Sequence, residues 1–112
     1  MGLRKLQNYK LVHRYRDTSM YGRSTFLQYK GKETELSCGL DDDLDIYFEG
    51  DMIYVLSRNT YMGYLGLEQF SRNGLDDFGQ FFCQNADELE LERDPFDYAP
   101  FTIIKVLAEY IY

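Results

Sequence analysis

The chain has 112 residues and a net charge of −7, with 45% hydrophobic and 28% charged positions. That length is one domain, and folding it buries roughly two-thirds of the surface of the open chain, enough for a core without metals or disulfide staples. An aromatic share of 17% is too high for a disordered tail, no apolar run reaches the ~20 residues that span a bilayer, and Met1–Tyr15 lacks the continuous apolar stretch of a secretory signal.

In chain order, Tyr9–Arg16 alternates, with Tyr9, Leu11, His13 and Tyr15 on one side and Lys10, Val12, Arg14 and Arg16 on the other. That period of two predicts a half-exposed strand, followed by a loop over Asp17–Ser24. Thr25–Lys30 and Glu33–Cys38 read as short strands joined by Gly31-Lys32, a two-residue hairpin signal with Gly first. Leu44–Glu49 and Met52–Ser57 flank a similar turn, Gly50-Asp51. In the first arm Leu44, Ile46 and Phe48 face one way and Asp45, Tyr47 and Glu49 the other. The second arm is apolar on both faces, which predicts a central strand in a covered sheet.

Met62–Phe70 predicts a further strand, with Gly63 and Gly66 permitting a bulge or a close approach. Ser71–Gly79, with Asn73-Gly74, reads as a loop. Phe81–Gln84 and Glu88–Glu92 each carry a weaker strand pattern. Pro100 suits a first helical position, and Asp94 and Asp97 suit its positive end. Phe101, Ile104, Leu107, Ala108 and Ile111 recur at spacings of three and four, so a C-terminal helix is expected to supply the covering layer, with Lys105 and Glu109 outward. The expected fold is α+β: a mainly antiparallel sheet of five to seven strands covered by that helix, forming one domain over residues 1–112.

The residues argue against catalysis. His13 is the one histidine, so no multi-His metal site can be built from a single chain, and its strand position suits a structural role. No nucleophile elbow, P-loop, dinucleotide fingerprint or zincin motif is present. Cys38 and Cys83 are 45 residues apart, a spacing that fits two buried thiols in a cytoplasmic protein. Asp41, Asp43 and Asp45 imitate the start of a calcium loop, but counting from Asp41 the required Gly and Glu fall on Ile46 and Met52. A looser divalent-cation site on that run is the alternative. No cofactor is expected.

Charge carries more information. Residues 1–32 hold eight bases and one acid, whereas residues 33–112 hold four bases and eighteen acids. The acids cluster at Asp41–Asp51, at Asp76 and Asp77, and from Asp87 to Asp97. Such a surface repels nucleic acid and speeds encounter with basic proteins. The basic residues Lys5, Lys10, Arg14, Arg16, Arg23, Lys30 and Lys32 interleave with Tyr9, Tyr15, Tyr21 and Tyr29, as a base-stacking platform would. The simpler expectation is that these strands pair with acidic ones or guard an edge, so neither nucleic acid nor membrane is an expected partner.

Gly50–Phe70, GDMIYVLSRNTYMGYLGLEQF, resembles a stretch of small bacterial immunity proteins of polymorphic-toxin and contact-dependent growth-inhibition systems. There a strand ending in a V-L-S-x-N sequence leads through a Gly- and Tyr-containing turn to G-x-L-G-L-E-x-F. The resemblance covers about twenty residues. It implies a non-enzymatic cytoplasmic protein that binds a cognate basic toxin domain, often a nuclease, and blocks it. The candidate contacts are Asp41, Asp42, Asp43, Asp45, Tyr47, Glu49 and Asp51 in the first acidic cluster, with Asp76 and Asp77 in the second; Asp45 and Glu49 are expected to face water, and Tyr61 and Tyr64 suit either core or partner. A phage-encoded acidic DNA mimic that inhibits a host defence nuclease is the alternative.

Overall fold

A strand that is apolar on both faces needs a layer against each, and the computed structural model of the chain supplies two. The structure describes residues 2–15, 23–37, 42–73, 75 and 80–111. Within them β1 (Arg4–Lys5) leads to β2 (Tyr9–Tyr15), β3 (Arg23–Tyr29) and β4 (Lys32–Glu35). Next come β5 (Asp43–Glu49), β6 (Met52–Asn59), β7 (Tyr64–Ser71) and β8 (Gln80–Asn85). Two 3-10 turns, Ala86–Glu88 and Pro95–Asp97, precede helix α1 (Pro100–Ile111). All strand pairs are antiparallel, in a five-stranded sheet ordered β1-β5-β6-β7-β8 and a three-stranded sheet ordered β2-β3-β4.

The α+β class expected from the sequence is the one observed, with the strands divided between two sheets. On one face of the larger sheet Leu56, Leu65 and Leu67 pack with Ile103, Ile104 and Leu107 of α1, with Leu3, Ala86 and Leu89 at the margin. On the other, Ile46, Ile53, Val55 and Phe70 pack against Leu27, Tyr29 and Leu36 of the smaller sheet, with Leu6 and Leu75. The order of layers is therefore helix, five-stranded sheet, three-stranded sheet. At roughly 1.5–3 kcal/mol per fully buried aliphatic side chain, each interface holds the large sheet from its own side.

The pairing register fixes the turns. Tyr29 pairs with Lys32, so the first hairpin turns on Lys30-Gly31, one residue before the expected position. Both turn residues have positive φ, 51° and 77°, the requirement of a type I′ turn. Lys30 occupies a conformation that favours Gly or Asn, at a cost of roughly 1–2 kcal/mol. The second hairpin does turn on Gly50-Asp51, with Gly50 at φ 58°.

Other expectations shift. The short β1, paired through Arg4 with Phe48 and Lys5 with Tyr47, had no alternation to announce it. Phe81–Gln84 lies within β8, but Glu88–Glu92 is no strand: a 3-10 turn ends at Glu88 and irregular chain follows. In α1 Pro100 is the first residue, as expected, but Ile103 replaces Phe101 on the buried stripe and Phe101 is left exposed. Asp94 caps the second 3-10 turn, accepting from Phe96 N at 3.0 Å, instead of serving α1. Cys83 is an exposed thiol, not a buried one, and Cys38 lies outside the described residues, as do Arg16, Asp17–Gly22 and most of the Ser71–Gly79 loop. His13 keeps a structural contact, its Nδ1 2.9 Å from Thr25 Oγ1. Among the described residues no helix is long and apolar enough to cross a membrane.

One polar bridge ties the two sheets. Glu68 on β7 is buried, and its carboxylate accepts from Ser37 N at 2.8 Å and Ser37 Oγ at 3.1 Å, just beyond β4. Burial raises its pKa above the ordinary 4.5, although both Ser37 bonds pull it down. A carboxyl with a raised folded pKa adds stability that is full below the unfolded pKa and is lost as pH rises through the folded one.

Two predictions follow from this architecture. Ile53→Ala and Leu56→Ala, on opposite faces of β6, should each cost about 2–5 kcal/mol in urea unfolding; if either is neutral, its layer is not holding the sheet. Glu68→Gln keeps a carbonyl acceptor for Ser37 without the buried charge. Wild type should therefore gain stability on the Gln variant as pH falls from 7 toward 4, and a pH-independent difference in melting would contradict the raised pKa.

Candidate protein-binding surface

The antiparallel hairpin β6–β7 sets the geometry of the surface. Each arm has eight residues, so its two ends are about 23 Å apart at ~3.3 Å per residue. Asn59 and Tyr64 pair at one end, and Met52 and Ser71 at the other.

The Asn59–Tyr64 end is pinned by hydrogen bonds. Met62 N donates to Asn59 Oδ1 at 2.7 Å, and Gly63 N donates to Asn59 O at 2.8 Å. Gly63 takes φ 76°, and its carbonyl accepts from Ala86 N at 2.8 Å, which fastens the turn to the first 3-10 turn. Buried Asn59 also donates through Nδ2 to Asp42 at 2.9 Å, and Tyr64 donates its hydroxyl to the same Asp42 oxygen at 2.5 Å. Burial foremost, and then the neighbouring Asp42 carboxylate, push the Tyr64 phenol up to about 12. The tip held this way projects Tyr61, 90% exposed, and Met62, 64% exposed. A large apolar pair on an ordered turn is a feature that burial within the chain does not explain.

Beside this tip runs the segment Ala86–Tyr98. Ala86 and Leu89 are buried, and Leu91, Phe96 and Tyr98 pack against the helix-side core. The residues between these anchors face out, so Asp87, Glu88, Glu90, Glu92, Asp94 and Asp97 are all exposed. Six carboxylates thus meet one cation, Arg93, whose guanidinium lies over the Tyr98 ring at 4.5 Å. Glu88 is steadied by Gln84 Nε2 at 3.0 Å. A groove of about 620 Å³ separates the acidic segment from the turn, with Met62 and Gly63 on one wall and Asp87, Asp94 and Phe96 on the other.

The sequence-nominated residues fall elsewhere in part. Asp41, Asp76 and Asp77 lie outside the described residues. Asp42 is the strut beneath the turn, and Asp43 is exposed at the same end of the sheet. Asp45 accepts from Arg58 at 2.7 Å, both side chains about one-fifth exposed. Tyr47 packs against the helix-side core, and Glu49 pairs with Lys105 of α1 at 3.1 Å. Asp51 is exposed on the β5–β6 turn, at the far end from Asp42. The alternation in β5 therefore holds, but α1 and Arg58 engage the face opposite Leu44, Ile46 and Phe48, so Asp45 and Glu49 do not simply face water. The run Asp42–Asp51 is also split between the two ends of the sheet.

The segment Asp87–Asp97 stood out in the sequence as an acidic cluster, yet its link to Tyr61 and Met62 needed the fold. Among the described residues no three His, Cys, Asp or Glu side chains gather in a group that could hold a metal ion.

Removing the Tyr64 donor tests the strut. Tyr64→Phe should cost about 1.5–3 kcal/mol at pH 7, as expected for a hydrogen bond to a carboxylate. Because the folded pKa is raised, wild type holds this advantage below pH 10 and loses it as pH rises through about 12. Unfolding curves of the two proteins at pH 7 and 11 that run parallel would contradict the assignment. Compared with known proteins, the chain matches no family model, no curated protein and no solved structure.

Proposed function

We propose that this chain is an immunity protein that binds a cognate basic toxin domain, a nuclease in the reading favoured here, and neutralises it by occlusion. The observation that carries this reading is the pinned Tyr61–Met62 tip set beside six exposed carboxylates and a single cation. An exposed aromatic on a pre-ordered turn loses little entropy on binding and is the residue type on which interface energy concentrates. A surrounding field of carboxylates raises the rate of encounter with a cationic cleft and can occupy the places of substrate phosphates. The motif-like stretch Gly50–Phe70 contains this tip and supports the same reading. No covalent chemistry is required of the chain, and it would act in the cytoplasm, where an incoming toxin reaches its substrate.

The test is co-expression with the product of the adjacent open reading frame, followed by co-purification and a growth-protection assay. The expected result is a stable complex that protects cells, weakened by Tyr61→Ala by about 2–4 kcal/mol, or roughly 30- to 1,000-fold in Kd. Charge reversal at Glu90 and Asp94 should slow association more than it speeds dissociation. The absence of a complex, or a complex indifferent to all three substitutions, would contradict the proposal.

A further inference from the structure

The opposite end of the large sheet, where Asp51 is exposed on the β5–β6 turn, gathers a cluster of cations. Two clefts, about 710 and 520 Å³, adjoin there and share Asn8, Tyr29 and Lys30 as a common wall. Lys10, Lys30 and Lys32 line the first, and Arg4, Lys5, Lys30 and Arg72 the second. Among the described residues one carboxylate lines them, Glu33, and it is already engaged: it accepts from Arg14 at 2.5 Å and from Gln28 at 2.8 Å, which hold it down at about 2.

Among the described residues none of the six cations forms an ion pair. Arg72 lies over the Phe48 ring at 4.1 Å and donates to Tyr29 Oη at 3.4 Å, and Lys30 lies over the Tyr29 ring at 5.3 Å. Those contacts orient the cations without neutralising them. In a chain of net charge −7 carboxylates are plentiful, so six cations with no carboxylate partner among the described residues, gathered around one pair of clefts, are a charge arrangement that folding does not require. The shared wall also holds two residues in left-handed backbone, Asn8 at φ 60° and Lys30 at φ 51°.

We infer that the paired clefts bind a single-stranded nucleic acid by its phosphates. The clefts run on from one another, which suits successive phosphates on one strand better than a single anion. Tyr29 is buried, Tyr9 is half-buried and Phe48 lies under Arg72, so recognition falls chiefly on the backbone. The acidic segment at the far end of β6–β7, about 23 Å away, lies beyond the ~8 Å screening length at physiological salt and does not cancel this field. The sequence pattern suggests that Lys5, Lys10, Lys30 and Lys32 pair with acidic strands or guard an edge; the fold leaves these four exposed beside Arg4 and the half-buried Arg72.

The experiment is fluorescence anisotropy of labelled 12-residue DNA and RNA strands of mixed sequence with the whole chain, at 50 and 200 mM salt. Wild type should bind both strands, and about five phosphate contacts would weaken binding roughly 100-fold between the two salts. Lys10→Gln with Lys32→Gln should weaken binding about tenfold at 50 mM, and Lys10→Glu with Lys32→Glu more, with melting temperatures unchanged. Tyr61→Ala should leave it untouched, which separates this inference from the proposed toxin interface. No binding at 50 mM, binding unaltered by both Lys pairs, displacement by polyglutamate at equal charge, or binding of ATP without binding of the strand would each overturn it.

Discussion

Everything else in this molecule depends on a five-stranded sheet that is apolar on both faces. Leu56 and Leu67 cannot be satisfied by the layer that satisfies Ile53 and Phe70, because adjacent residues of a strand point to opposite sides. The chain answers with two unlike covers, a helix on one side and a small sheet on the other, and they come from its two ends. The N-terminal third and the C-terminal helix must therefore both be in place before the central hairpin is dry. Glu68 marks the seam with the smaller sheet: a carboxylate is held under it because Ser37 supplies two donors there.

That arrangement also sorts charge. The segment that precedes the helix brings carboxylates to the Asn59–Tyr64 end of the β6–β7 hairpin, while the three-stranded sheet brings lysines to the Met52–Ser71 end. Covering the sheet from both termini, one basic and one acidic, gives a molecule with two poles instead of one uniformly acidic surface. Net charge describes its solubility and its average field, whereas the poles determine what meets each end. The exposed tyrosine and methionine sit at the acidic pole, so apolar area and favourable steering coincide there.

Much of the fold was legible in the sequence, for physical reasons. The doubly apolar β6 is a direct image of two-sided burial, and alternation in β5 sets Leu44, Ile46 and Phe48 against the smaller sheet; in β2 only Tyr9 and Leu11 of the alternating face pack on that core, and His13 and Tyr15 are exposed. Gly50-Asp51 announced its turn because positive φ at the first turn position suits Gly. Lys30-Gly31 was displaced by one residue because cross-strand register, which no local pattern reports, put the lysine into the left-handed conformation. Phe101 and Ile103 exchanged roles because helix periodicity leaves the stripe's orientation free until a neighbour selects it. The surface was less legible still. Asp45, Tyr47 and Glu49 share a face in any β5 strand, but only the fold shows Arg58, the helix core and Lys105 engaging them. Residues 61–62 and 86–98 are remote in sequence, and the bond from Ala86 N to Gly63 O is what brings them together.

The central claim is that the acidic pole, with its ordered aromatic tip, is the face that meets a protein partner. Hydrogen–deuterium exchange of the purified complex with the adjacent frame's product tests it most directly. The account predicts new protection at 60–63 and 86–98, with exchange in β2–β4 unchanged. Protection confined to β2–β4, with the acidic segment still exchanging as in the free protein, would contradict it.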